Sequence, residues 1–190
     1  MKLVAAEFIT LDGVIEGPNE WTGDFFDDQL GQRLMTEASE RDAIVLGRRT
    51  YEEMAAAWSS QGDSHPMAAS MNNTPKFVVS TTLGNVDAWQ NSTLVTGDPA
   101  TTLQELKSRP GRNAMIIGSA TLVRSLLGRG VIDELVLVVF PVVVGPGKRL
   151  FDDQSAQLPL ELFGCETFPG GAVRLAYHQR DGSPLETAER

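Results

Sequence analysis

Apolar and polar positions alternate between two periods along this chain, and the alternation predicts its elements. Lys2 to Ile9 carries Leu3, Val4, Phe8 and Ile9 and reads as a first strand. A turn over TLDGVIEG follows, with Asp12-Gly13 as its strongest signal, and then a loop carrying Trp21. Asp27 or Asp28 can cap a helix running through Ser39, whose Leu30, Leu34, Met35 and Ala38 fall on one face. Ala43 to Leu46 is a second short apolar strand. It ends in Gly47-Arg48-Arg49-Thr50, where Thr50 with Glu53 predicts a capping box. Ser59 to Asn73 is polar and reads as an irregular excursion, with His65 an ordinary surface residue.

Lys76 to Ser80 is a third strand and Ser92 to Thr96 a fourth, after which Thr101 or Thr102 opens a helix through Ser108. Ala114 to Ile117 is a continuous apolar run suited to a strand covered on both faces. Gly118, Ser119 and Ala120 follow at once, and Leu122, Val123, Leu126 and Leu127 then recur at helical spacing. Ile132 to Val144 is β-branched around Pro141, which predicts a bend or two short strands. Leu160 to Thr167 and Ala172 to His178 form a final antiparallel hairpin around Gly170-Gly171. Cys165 lies in that strand pattern and reads as a small core residue, and Asp152-Asp153 as an exposed turn. Residues 1–180 are expected to form a single domain, with 181–190 a polar tail.

Composition narrows the function. A net charge of -9 without a basic stripe argues against nucleic acid. The single cysteine allows no intrachain disulfide and no cysteine-based metal framework, and it suits a reducing cytoplasm. The N-terminal stretch does not resemble a cleavable signal, and no apolar run approaches the length of a membrane span. No metal site is expected.

The candidate chemistry sits where strands give way to helices. Small residues at Gly118-Ser119-Ala120 let helix-start N–H groups approach an anion, and a dinucleotide pyrophosphate fits such a seat. Gly47 repeats that logic with the guanidiniums of Arg48 and Arg49 beside it. The hydroxyls of Ser80, Thr81 and Thr82 crowd a third strand end. Asp24, Asp27 and Asp28 are the candidate proton handlers, and Trp21 is placed to stack on a heterocycle.

These segments resemble the dihydrofolate reductase-like superfamily, and more specifically the reductase domain of bacterial riboflavin biosynthesis and its small stand-alone relatives. The carriers are TLDGVIEG, LGRRTYE, VVSTT, IIGSATLVRSLL and IDELVLVVFPVVVGPGKRLF, in that order. The resemblance implies a three-layer α/β/α fold. Its mainly parallel central sheet ends in antiparallel C-terminal strands, and NADPH lies across the strand ends. It implies that Gly47, Arg48, Arg49 and Thr50 hold the cofactor phosphates, with Ser80 and Thr81 near the adenosine 2′-phosphate. Ile117, Gly118, Ser119, Ala120 and Thr121 resemble the pyrophosphate loop, and Thr10, Asp12, Gly13, Val14 and Ile15 the flap beside the nicotinamide. The implied activity is hydride transfer to a small heterocyclic substrate, a pyrimidine ribosylamine phosphate or a pterin, by a cytoplasmic homodimer. Two departures stand out. Ser119 replaces a glycine common in relatives, and Gly31 falls where dihydrofolate reductases carry a carboxylate. Alternatives are a dinucleotide-binding protein of this fold without reductase activity, or a true dihydrofolate reductase.

Overall fold

The computed structural model of the chain describes residues 1–152 and 157–179. Eight strands form one sheet in the order β4-β3-β2-β5-β1-β6-β8-β7. They are β1 (Lys2–Thr10), β2 (Arg41–Gly47), β3 (Lys76–Val79), β4 (Ser92–Val95), β5 (Asn113–Ile117), β6 (Glu134–Phe140), β7 (Leu160–Thr167) and β8 (Val173–Gln179). The first six strands in sheet order run parallel, and β8 and β7 are added antiparallel at the β6 edge. This is the mainly parallel sheet with an antiparallel C-terminal end that the sequence predicts.

The helices are α1 (Pro18–Trp21), α2 (Asp28–Glu40), α3 (Arg48–Trp58), α4 (Pro66–Asn73), α5 (Pro99–Lys107) and α6 (Ala120–Leu127). Apolar positions assign each to a face. Leu103 and Leu106 of α5 and Leu122, Val123 and Leu126 of α6 pack with Leu3, Ala5, Val45 and Ile116 on one side. Tyr51 and Ala55 of α3 and Met71 of α4 pack with Ile44, Leu46 and Val78 on the other. On that second side Leu30 of α2 meets Val138 and Phe140 of β6. Alternate residues of the central strands therefore serve opposite cores, as a sheet buried on both faces requires.

Several local expectations are corrected. Residues 59–73 are only partly irregular: a 3₁₀ turn over Ser59–Gln61 and a short turn over 62–65 lead into α4, with His65 as its N-cap. The polar composition hid a helix start, since His65 and Pro66 occupy cap and first-turn positions that need no apolar residue. Thr50 does not cap α3, because helical geometry begins at Arg48 directly after Gly47. The fifth helix starts at Pro99, ahead of Thr101, because Asp98 Oδ2 accepts from the Thr101 N–H and hydroxyl. β6 stops at Phe140 and no second strand follows directly, so Pro141 lies just past a strand end where a bend or two short strands are predicted. Cys165 is exposed, since β7 is the sheet's edge strand. Asp152 is exposed and pairs with Arg124, while Asp153 and the tail 181–190 lie outside the described residues.

Candidate active site

β2 and β5 are neighbours, yet the helices that follow them lie on opposite faces of the sheet. Chains leaving adjacent parallel strands in opposite directions open a crevice at the strand ends, where open α/β sheets bind ligands. Both junctions are short: no residue intervenes between β2 and α3, and two residues lie between β5 and α6. Gly47 is itself the N-cap of α3, and Gly118 and Ser119 turn the chain from β5 into α6 with φ of 66° and 73°.

The two turns interlock. A Cβ on Gly47 would lie 2.9 Å from Ser119 Cβ and nearer still to its Oγ. A Cβ on Gly118 would lie 2.9 Å from Thr50 Cγ2 and 3.0 Å from its Oγ1. Each glycine thus leaves room for the opposite turn's side chain. At neither helix start does the N-cap side chain accept a first-turn N–H. Both helices therefore offer first-turn donors, with their positive dipole ends, into the same crevice.

Cations stand around these donors. Arg48 and Arg49 are exposed in the first turn of α3, Arg48 within 3.5 Å of Glu52. Lys148 Nζ donates to Thr121 Oγ1 at 3.0 Å in the first turn of α6, a contact the sequence reading did not anticipate. GPGKRLF enters the sequence reading only as part of a motif that carries the resemblance, although the lysine inside it was the available signal. Ala120, the first residue of α6, is buried and Thr121 is exposed. At the end of β3 the Ser80 hydroxyl accepts from the N–H groups of Thr82 and Leu83 at 3.1 and 3.0 Å, which shapes the turn holding exposed Thr81.

The stretch after β1 is tied to the 141–150 segment. Thr10 Oγ1 donates to Asp12 Oδ1 at 2.6 Å and accepts from Val14 N at 2.9 Å. Asp12 also accepts from Gly145 N at 2.9 Å. The Thr10 hydroxyl first, and then the backbone donors, hold the Asp12 carboxyl at about 2. Gly13 adopts φ 85°, and its carbonyl accepts from Leu150 N; Ile15 N donates to the Lys148 carbonyl. Val14 is buried and bridges to Arg149. Flap and GPGKR loop are therefore one unit, and Lys148 connects that unit to α6.

The α2 side supplies an aromatic wall. Trp21 meets Phe140 edge-on at 5.5 Å, Phe8 meets Phe140 at 5.2 Å, and Trp21 Nε1 donates to the Glu16 carbonyl. Asp27 is fully engaged. Its Oδ1 caps α2 by accepting from Gln29 N and Leu30 N at 2.9 Å, and its Oδ2 accepts from Gly170 N at 2.6 Å. The Leu30 and Gly170 N–H groups hold its carboxyl below the usual range. Asp24, in a 3₁₀ turn, and Asp28, in the first turn of α2, are exposed. The structure thus gathers the glycine turns and arginines at one crevice, while Asp27 serves the backbone.

One further buried group went unnoticed in the sequence. Glu7 of β1 is buried, its Oε1 has no hydrogen-bond partner, and burial pushes its carboxyl up to about 8. It lies one residue beyond the Ala6–Ile117 pair, level with Gly118. Among the described residues no group of three or more His, Cys, Asp or Glu is placed to hold a metal, and no helix is long and apolar enough to cross a membrane.

The mainly parallel sheet, with a crevice at its strand ends, places the chain among open α/β proteins, and comparison with known proteins makes the class specific. Residues 1–174 match the RibD C-terminal domain family, and the chain belongs to that family. The uncharacterized protein YyaP of Bacillus subtilis is 27% identical over 176 residues, covering 90% of each chain. Among solved structures, a candidate riboflavin biosynthesis protein from Shewanella sp. PV-4 superimposes with a TM-score of 0.74 at 22% identity, over 95% of this chain and 99% of the other. Dihydrofolate reductase from Enterococcus faecalis, solved in complex with NADP(H), gives 0.65 at 14% identity over 95% and 97%. The fold is dihydrofolate reductase-like.

Proposed function

We propose that this chain is an NADPH-dependent reductase of a small nitrogen heterocycle of the pyrimidine ribosylamine phosphate or pterin type. The observation that carries the reading is the interlocked pair of turns, Gly47 against Ser119 and Gly118 against Thr50, at the topological switch of the sheet. Family membership and reductase-like neighbours support it. Bound NADPH would supply the hydride. The residues present fit that cofactor: two helix starts without side-chain caps provide N–H donors for a pyrophosphate, and Arg48, Arg49 and Lys148 provide positive charge around them.

In this reading the chain's own residues bind, orient and exclude water. Ser80 and Thr81 stand at the next strand end, where a 2′-phosphate would distinguish NADPH from NADH. The flap from Thr10 to Ile15, braced by Asp12 and Arg149, orients the nicotinamide end and shields it from solvent. Trp21, Phe8 and Phe140 wall the substrate side. Asp27 positions that wall by joining the start of α2 to the 168–171 turn, which leaves Asp24 and Asp28 as the exposed carboxylates able to handle a proton. The occupied state of Asp27 also favours a second reading, a dinucleotide-binding protein without turnover.

The same proposal includes a homodimer formed over edge strand β7, where Leu162 and Phe163 are half exposed. The test is turnover. Loss of nicotinamide absorbance from NADPH in the presence of a ribosylaminopyrimidine or a dihydropterin supports the reductase. Tight NADPH binding with no oxidation by any heterocycle supports the second reading.

A further inference from the structure

A run of hydrogen bonds joins the start of α6 to the aromatic wall, and Lys148 stands in the middle of it. Lys148 Nζ donates to Thr121 Oγ1 at 3.0 Å in the first turn of α6. The Lys148 backbone N–H donates to Glu16 Oε2 at 3.1 Å. The Glu16 carbonyl in turn accepts from Trp21 Nε1 at 2.9 Å, and the Trp21 ring meets Phe140 edge-on. One residue thus touches the cofactor side of the crevice with its side chain and the substrate side with its main chain.

The main chain around Lys148 is clamped to the flap. The Lys148 carbonyl accepts from Ile15 N at 2.9 Å, Leu150 N donates to the Gly13 carbonyl at 2.9 Å, and Arg149 Nε donates to the Asp12 carbonyl at 2.8 Å. A Cβ on Gly147 would lie 2.6 Å from Val14 Cγ1, so the loop rests directly on the flap's buried residue. Arg124, a turn further along α6, donates to the carbonyls of Arg149 and Leu150 at 3.3 and 3.4 Å and ties the far end of the loop to the helix. A displacement of the Lys148 side chain is therefore passed to Glu16 and the flap. The side chain has a reason to move, because its acceptor is the neutral hydroxyl of an exposed threonine. A phosphate on the first-turn N–H groups of α6 would bring an anionic oxygen beside Thr121, and an ammonium bonds that more strongly. Arg48 has no such connection, since it pairs with Glu52 inside its own helix.

We propose that Lys148 is a positioning residue that couples the two sides of the crevice: its ammonium turns to the cofactor's phosphate, and its backbone carries the shift through Glu16 to Trp21. The proposal rests on the reading of the crevice as a dinucleotide seat. Coupling between two sites is reciprocal, so a ring held against Trp21 tightens the cofactor by the same factor as the cofactor tightens the ring.

The test is a titration of the isotopically labelled full chain with ADP-ribose 2′-phosphate, which carries the phosphates of NADPH and no nicotinamide ring. In the parent the Gly118 and Thr121 amide resonances are expected to shift saturably, and the Trp21 indole N–H to shift along the same binding curve. Lys148→Ala, saturated at about tenfold higher ligand concentration, is expected to keep the amide shifts and lose most of the indole shift. Trp21→Phe assigns the indole resonance. An indole shift of equal size in parent and Lys148→Ala, or an unmoved indole in the parent while the amides shift, overturns the proposal and leaves the dinucleotide reading standing. No saturable shift at the amides removes that reading, and the proposal with it.

Discussion

Gly47 and Ser119 stand so close that a single Cβ on the glycine would overlap the serine side chain, although they cap helices that follow different strands and lie on opposite faces. This contact sets the width of the crevice. Gly47→Ala is expected to destabilise the protein by about 1–3 kcal/mol, the range for overpacking a tight site. Adding Ser119→Gly should recover most of that loss, because it removes the opposing side chain and suits the left-handed backbone at that position. Denaturant unfolding of the two single variants and the double variant measures the coupling.

Glu7 links stability to pH. Its carboxyl is at about 8 in the folded chain, against an ordinary value near 4.5. The folded state therefore binds the proton more tightly than the unfolded state. That contribution is complete below the unfolded value and is lost as pH rises from about 4.5 through about 8. Glu7→Gln, which cannot ionise, should become progressively more stable than the parent across this window, by several kcal/mol at its upper end. Unfolding of both proteins at matched pH values reads the difference. A constant difference would show that the folded and unfolded chains hold the Glu7 proton equally tightly, and would contradict the raised carboxyl.

Asp27 behaves in the opposite sense. Its folded carboxyl lies below the ordinary value, so its stabilisation is present above the unfolded value and lost as acid protonates it. Asp27→Ala should lower the melting temperature more than Asp24→Ala or Asp28→Ala, because it alone removes partners from Gln29, Leu30 and Gly170. Thermal melts near neutral pH, repeated in acid, separate the three; the deficit of Asp27→Ala should shrink in acid.

Lys148 provides a test of the crevice that does not touch its glycines. Lys148→Ala removes a cation from the first turn of α6 and should weaken NADPH by about tenfold with little effect on stability. The loss should diminish at high salt, where screening already weakens the parent. Titrations at two ionic strengths measure both effects.

Much of this was legible in the sequence because it depends on local patterns. Continuous apolar runs such as Ala114 to Ile117 marked buried parallel strands, and glycines directly before amphipathic stretches marked the crevice turns. What escaped depends on distance along the chain. Nothing near Gly47 indicates that Ser119 fills the space its missing side chain leaves, and nothing near Lys148 indicates Thr121. Glu7 looks like an ordinary polar position in an alternating strand until both faces of that strand are covered. Asp27 looked like a proton handler because its hydrogen bond to Gly170 spans 143 residues of chain. The helix at residues 66–73 was missed for a local reason, since its few apolar residues follow a polar cap.

The central claim is that this crevice seats NADPH, and the most direct measurement is a thermal shift titration with NADPH and NADH on the parent chain and on Arg48→Ala. The account predicts that NADPH stabilises the parent by about 2.7 kcal/mol at a hundredfold excess over its dissociation constant. It also predicts that NADH does so only at higher concentration and that Arg48→Ala loses most of the gain. No stabilisation by either nucleotide, or equal stabilisation of parent and variant, would contradict it.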